Sequence, residues 1–245
     1  MMNSRNSLLK SASDGNDELL LEALNAEKAR RLTENKLQYF KPYPKQLAFF
    51  TAGASCRERL LMAANQSGKT LASAIEIACH ATGRYPSWWP GKRFEKPTDG
   101  WVAGVSNEVV RDTLQKLLLG NPGEHGTGTI PKDSIVGIVT ARGIGDLVDV
   151  IRVAHISGGT STLTLKSFSA GREKFQGSTL DYVALDEEAP YDIYSEALTR
   201  TNATRGLVWS TFTPLQGVSE VVRRFLYEQS SDRALISMTI DDVDH

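Results

Sequence analysis

Ala63-Ala64-Asn65-Gln66-Ser67-Gly68-Lys69-Thr70 is the stretch whose reading decides the fold. It closes an apolar run, Arg59–Ala64, and opens a helical pattern from Gly68 to about Thr82 that Gly83 can end. A strand followed by glycine-lysine-threonine at a helix start is the setting a phosphate-binding loop requires. There the backbone N–H groups and the positive end of the helix converge on phosphate oxygens. On this reading Ala63, Ala64, Asn65, Gln66, Ser67 and Gly68 surround the phosphates. Lys69 reaches the β and γ phosphates of ATP, and the Thr70 hydroxyl ligates Mg²⁺. Ala63 stands where the pattern usually has glycine, and the bland alternative is that GKT merely begins a helix.

A second acidic segment makes that alternative the poorer one. In LDYVALDEE, Tyr182–Leu185 read as a buried strand that ends in Asp186, Glu187 and Glu188. Acids at the carboxyl end of a parallel strand face the same crevice as the phosphate loop. Asp186 suits a Mg²⁺ ligand, and Glu187 is placed to orient or deprotonate a water attacking the γ-phosphate. Standing alone, the triplet would be a solvated turn; Glu188 is given no chemistry.

Outward from these two motifs, apolar runs alternate with helical ones, the rhythm of a mostly parallel sheet covered by helices. Strand Trp101–Val105 leads through Ser106, an N-cap, into a helix ending near Gly120. DLVDVIRVAH and STLTLKSF flank Ser157-Gly158-Gly159-Thr160, which predicts an antiparallel hairpin added to the sheet. Helix Tyr191–Thr201, strand Leu207–Thr211, helix Ser219–Gln229 and strand Ala234–Thr239 follow. The expected fold is therefore α/β, a three-layer P-loop nucleoside triphosphatase with a mostly parallel central sheet and the added antiparallel hairpin.

PSWWPGKRFEKPTDG reads as an ordered surface loop. Asn16 to about Leu32 reads as a helix, with Asp17 and Glu18 at its start and Arg30 and Arg31 near its end complementing the dipole. Its leucines, Leu20, Leu21, Leu24 and Leu32, form an uneven stripe expected to pack on the core or on a neighbouring subunit. The expected domain plan is a leader and helix over 1–42, the ATPase domain over 43–240, and the start of a linker over 241–245.

The 245 residues carry a formal net charge of −1, so binding to nucleic acid requires a local patch or an assembly rather than a broad basic field. Two cysteines, Cys56 and Cys79, without a C-x-x-C pair, and four histidines support neither a disulfide framework nor a structural zinc site. No apolar run approaches the roughly 18–20 residues that span a bilayer, and MMNSRNS lacks a signal peptide's apolar segment, so a membrane partner is not expected.

YPKQLAFF, AANQSGKT, GREKFQGSTLDYVALDEE and STFTPLQG together resemble the N-terminal ATPase domain of the large terminase subunit of tailed double-stranded DNA bacteriophages, from about Tyr43 to the chain end. The resemblance implies a RecA-like ASCE ATPase that drives double-stranded DNA into a procapsid in the host cell cytoplasm. It implies docking on the portal protein, work with a small terminase subunit, and a ring of copies, pentameric when docked and monomeric in solution. It also implies a downstream RNase H-like nuclease domain.

Position by position, Gln46 is similar to a glutamine that reads the adenine edge, with Tyr43 or Phe40 able to stack nearby; a surface helix residue is the equal alternative. Ser210–Pro214 resembles the coupling motif, in which Thr211 and Thr213 sense the γ-phosphate; strand capping is the plain alternative. Many relatives place an arginine in the loop where Asn65 stands. The charge-stabilising arginine must then come from elsewhere, from a neighbouring subunit, with Arg142 and Arg172 the candidates. GKRFEK and VRRF are the candidate DNA-contact segments. Two rival functions stay open: another nucleic-acid ATPase such as a helicase, and a non-catalytic assembly protein switched by nucleotide.

Overall fold

The computed structural model describes residues 3–213 and 217–243. Pro214, Asp244 and His245 lie outside the described residues, as do the side chains of Asp17 and Arg31. In chain order the main elements are α1 (Asn3–Glu34), α2 (Lys36–Tyr39), α3 (Pro44–Ala52), β1 (Glu58–Ala63), α4 (Lys69–Thr82) and β2 (Asp99–Gly104). Next come α5 (Asn107–Val109), a π-helical turn (Val110–Gln115) and α6 (Lys116–Leu119), which form one continuous helical segment. Then follow β3 (Ile135–Thr140), β4 (Val148–Ala154), β5 (Thr160–Ser167), β6 (Tyr182–Asp186), α7 (Tyr191–Arg200), β7 (Leu207–Phe212), α8 (Glu220–Tyr227) and β8 (Arg233–Met238).

The strands form one sheet in the order β3-β4-β5-β2-β6-β7-β1-β8. From β5 to β8 every neighbouring pair is parallel, and β4 alone runs against its neighbours. β7 separates β1 from β6, so the strand before the phosphate loop and the strand carrying the acids are not adjacent, the arrangement expected of an ASCE ATPase. Because successive side chains of a strand point to opposite faces, each central strand feeds two cores. Leu61, Ala184 and Trp209 join α4 and α6 on one face; Leu60, Val183, Leu185 and Val208 join α7 and α8 on the other. This is a three-layer sandwich.

α4 is the helix the sequence predicts. It starts at Lys69 behind Gly68 (φ 81°) and stops at Gly83 (φ 69°), whose N–H returns to the Cys79 carbonyl. β1 and α4 are locked together by Arg59, which is fully buried between the Phe49 and Trp209 rings and bonds both Glu76 carboxylate oxygens at 2.6 and 3.0 Å. Removing one partner of such a pair costs about 3–5 kcal/mol, so the two elements that hold the phosphate loop are rigidly joined.

The expected antiparallel hairpin is present, with Gly158 and Gly159 at positive φ in its turn; β5 joins it to the sheet beside β2, and an unanticipated strand, β3, pairs outside β4. The WW loop is ordered and lies at the surface through Ser87, Glu95 and Lys96, but its aromatics turn inward: Trp89 is buried and lies 4.8 Å from Phe50, and Phe94 meets His80 edge-on. The N-terminal helix is longer than read and does not pack on this chain's core. Leu20, Leu21, Leu24 and Leu32 are 41–60% exposed, although they fall within about a third of the helix circumference, so that face is uncovered by the described residues of this chain.

Candidate functional site

The chain leaves β1 at Ala63, which is still in extended backbone, so a methyl group is tolerated where glycine is usual. The turn then needs left-handed backbone at Gln66 (φ 61°) and Gly68 (φ 81°). Gly68 is required twice over: for its φ, and because a Cβ there would sit 2.9 Å from Gln46 Nε2. Ser67 Oγ closes the loop by donating to the Ala64 carbonyl at 2.7 Å.

Gln46 is 1% exposed, donates to the Gly68 carbonyl at 3.0 Å and accepts from the Tyr43 N–H at 2.9 Å. Both ends of its amide thus tie the start of α3 to the phosphate loop, which corrects the surface-residue alternative. Contact with an adenine edge requires it to share those atoms. Tyr43 lies close to Gly68, whereas Phe40 is drawn away to Trp88 (centroids 6.0 Å).

Lys69 is 7% exposed and its Nζ donates to Thr213 Oγ1 at 3.0 Å, with Glu187 Oε1 at 3.7 Å. Thr213 Oγ1 also lies 2.9 Å from both the Ala63 carbonyl and Asn65 Oδ1. Three segments therefore meet at one hydroxyl: the loop, its lysine and the strand end after β7. Thr211 is fully buried and donates to Asp186 Oδ1 at 2.8 Å, so of the two threonines only Thr213 faces the lysine.

Asp186 is 4% exposed. Burial pushes its carboxyl up to about 6, against the opposing hydrogen bonds of Thr211 and Thr70. Thr70 and Asp186, assigned to the same ion, are therefore in contact. Glu187 sits at φ 70°, an uncommon conformation for a non-glycine residue, held by its N–H bonding the Thr211 carbonyl at 2.9 Å. That twist turns it toward Lys69 with its side chain 38% exposed. Strain at one acid and an ionisation cost at its neighbour are the features of a built site. Glu188 has its Oε1 buried and without a hydrogen-bond partner among the described residues.

The sign of the Asp186 effect is testable. Folded, its carboxyl titrates near 6 and not at the ordinary 3.8. Between those values the native state holds the proton and the unfolded state does not, so stability falls as pH rises through this window by about 3 kcal/mol. Asp186→Asn is expected to unfold at higher temperature than the wild type at pH 7.5, by on the order of 5 °C, with the gap closing near pH 4. A lower Tm at pH 7.5 would contradict it.

Both candidate arginines lie on the carboxyl edge of the sheet, Arg142 after β3 and Arg172 after β5, the edge on which the phosphate loop also lies. At about 4.8 Å per strand, β3 is about 29 Å from β1, whereas an arginine side chain reaches roughly 7 Å. Arg142, two residues past β3, therefore cannot serve its own loop. Arg172 is held by Glu196 at 3.1 Å, a buried carboxylate that also binds Arg200. Arg142 is exposed, and among the described residues it makes no hydrogen bond or ion pair.

The DNA-contact candidates are largely committed to the fold. In GKRFEK, Lys92 bonds the Arg205 carbonyl and Arg93 lies over Tyr85. In VRRF, Arg224 pairs with Glu58 at 2.9 Å. Lys96 and Arg223 remain exposed. A cavity of about 460 Å³ lined by Leu37, Arg84, Tyr85 and Trp88 lies at the far end of α4 and contains none of the site residues. No helix among the described residues is long and apolar enough to cross a membrane.

Comparison with known proteins agrees with this geometry. The model of the family described as terminase large subunit, T4likevirus-type, N-terminal, matches residues 60–245. The large terminase subunit of Salmonella phage P22 is 40% identical over 97% of this chain and 52% of its own length. That of Enterobacteria phage LP7 is 28% identical over 97% and 53%. The chain thus spans about half the length of these relatives. Among solved structures, the large terminase ATPase domain of Thermus phage P74-26 superposes with a TM-score of 0.55 at 20% identity, covering 83% of each chain. The large terminase of another thermophilic bacteriophage, solved in complex with ADP, gives 0.57 at 17% identity over 82% of this chain and 46% of that one. The chain belongs to the terminase large subunit family and corresponds to that family's N-terminal part.

Proposed function

We propose that this chain is the ATP-hydrolysing motor domain of a phage terminase, driving double-stranded DNA into a procapsid. The observation that carries the reading is the convergence of Lys69, Thr70, Asp186 and Glu187 on one crevice at the carboxyl edge of the sheet, with Lys69 and Glu187 3.7 Å apart. A relative of the same fold has been solved with ADP, which agrees with nucleotide as the ligand.

In this reading the N–H groups of residues 65–70 cradle the β and γ phosphates, and Lys69 leaves Thr213 to neutralise them. Thr70 and Asp186 would hold Mg²⁺. Few protein ligands suffice for this ion, which keeps waters and phosphate oxygens for the rest, and no cluster of three or more acidic, histidine or cysteine ligands occurs among the described residues. Once bound, the ion withdraws charge from the phosphate oxygens. Glu187 accepts a proton from water as the water oxygen bonds the γ-phosphorus and the bond to the bridging oxygen breaks, releasing ADP and phosphate. Loss of the γ-phosphate returns Lys69 to Thr213, which pulls on the segment beyond β7 and so on α8.

Arg142 of a neighbouring copy completes the charge balance, so the working form is a ring docked on the portal protein, assisted by a small terminase subunit. Contacts to DNA run through phosphates, because a motor that moves a whole genome cannot depend on base identity. The ATPase domain occupies 43–240, with a leader before it and a linker to a nuclease domain after it, all in the host cell cytoplasm. Phosphate release tests the ring: turnover per chain is expected to rise with protein concentration. A rate independent of concentration at every dilution would remove the neighbour's arginine from the account.

A further inference from the structure

The loop that carries Arg142 is not free, although Arg142 is. Residues 141–147 close on themselves through Ala141 N–H to the Leu147 carbonyl at 2.8 Å, and Asp146 takes left-handed backbone (φ 57°). Besides the packing of Ile144 and Leu147 on the core, the Gln115 side chain holds this loop by two hydrogen bonds. It is 1% exposed; its Nε2 donates to the Asp146 carbonyl at 2.8 Å and its Oε1 accepts from the Val148 N–H at 2.8 Å. One amide thus satisfies two backbone groups on either side of Leu147, at the end of the loop where the chain is strained.

Gln115 ends the π-helical turn Val110–Gln115. Such turns insert an extra residue into a helix and re-aim the side chains that follow; they are rare and recur at functional sites. The segment that contains it begins at the Ser106 N-cap, just past β2. β2 pairs with β6 in register Ala103↔Leu185, and a Cβ on Gly104 would lie 3.9 Å from the Asp186 carbonyl. One short, continuous helix therefore starts beside the acids of its own nucleotide site and ends on the loop whose arginine cannot reach that site.

We propose that Gln115 is a positioning residue that presents Arg142 to the neighbouring copy and links the state of its own Asp186–Glu187 strand end to that presentation. The proposal rests on the reading that Arg142 acts in the neighbour's site. Gln115 touches no nucleotide. It acts by holding the loop, and a misplacement of about 1 Å in a charge-stabilising group is worth roughly 100-fold in rate.

The test uses the intact chain and four variants. Gln115→Leu is expected to bind a fluorescent ATP analogue as the wild type does, and to lose about 100-fold of its concentration-dependent phosphate release. Mixing it with an equal amount of Glu187→Gln is expected to restore turnover. Each Gln115→Leu chain has its own Lys69 and Glu187 intact and receives a correctly held Arg142 from its neighbour. Arg142→Ala must show the same loss and the same rescue. Because leucine leaves two backbone groups unpaired, Gln115→Glu, which keeps the acceptor for Val148 and loses the donor to Asp146, is run under the same criteria.

Full turnover in both Gln115 variants would overturn the proposal. So would failure of Glu187→Gln to rescue them while it rescues Arg142→Ala, which would make Gln115 a general fold residue. Full turnover in Arg142→Ala would overturn the assignment of Arg142 itself, and the proposal with it, a result distinguishable from the others.

Discussion

Lys69→Ala is expected to lower steady-state phosphate release by on the order of 10³-fold and to weaken ATP binding more than ADP binding. The reason lies in what Lys69 does without nucleotide. It is nearly buried, and its ammonium is shared between Thr213 at 3.0 Å and Glu187 at 3.7 Å. Losing one preorganised donor to a developing charge typically costs about 10²–10³ in rate, and a full cation bridging two phosphates lies at the upper end. Alanine also leaves Thr213 without its donor, so the coupling segment keeps its contacts to Ala63 and Asn65 but loses its link to the lysine. Comparable affinity for ATP and ADP in the wild type and the variant, measured by calorimetry, would contradict this role.

Glu187→Gln is expected to separate binding from chemistry. The amide keeps size and hydrogen bonding but cannot take a proton, so turnover is expected to fall by about 10²–10⁴-fold while affinity for ATP stays within a few-fold. The backbone at φ 70° constrains the result further. Since the main chain is held by the bond to the Thr211 carbonyl, glutamine inherits the same strain and points the same way, which makes the comparison one of chemistry alone. Turnover unchanged in this variant would remove Glu187 from the reaction and leave Asp186 or Glu188 to be considered.

The parts of this fold that are legible in the sequence are those whose signals are local. The phosphate loop, α4 with its glycine end, the acidic strand end and the 157–160 turn each depend on residues within a few positions of one another. Strand β3 carries a local signal too, five β-branched residues around Gly137, but nothing local gives its place at the sheet edge outside β4, where it pairs with register shifts. α1 reads as packed because its leucines share one face, yet that face is exposed, and what would cover it is not written in this chain's own fold.

Site residues divide along the same line. Lys69, Thr70, Asp186 and Glu187 follow from motif spacing, whereas the link from Lys69 to Thr213 spans 144 positions, and that from Gln46 to the phosphate loop spans 22. Gln115 lies 31 positions from the carbonyl it holds, and no neighbouring residue marks it out. The preference for Arg142 over Arg172 likewise needs the ion pair to Glu196, a contact across 24 positions. Such choices are set by which elements the sheet order brings together, and only the fold supplies that.

The account is tested most directly by measuring bound nucleotide and released phosphate in the same sample of unmodified chain supplied with ATP and Mg²⁺ at high protein concentration. It predicts that bound ATP is converted to ADP with continuing phosphate release. ATP that stays bound and intact, with no phosphate released at any concentration, would contradict it and make the chain a nucleotide-switched assembly protein.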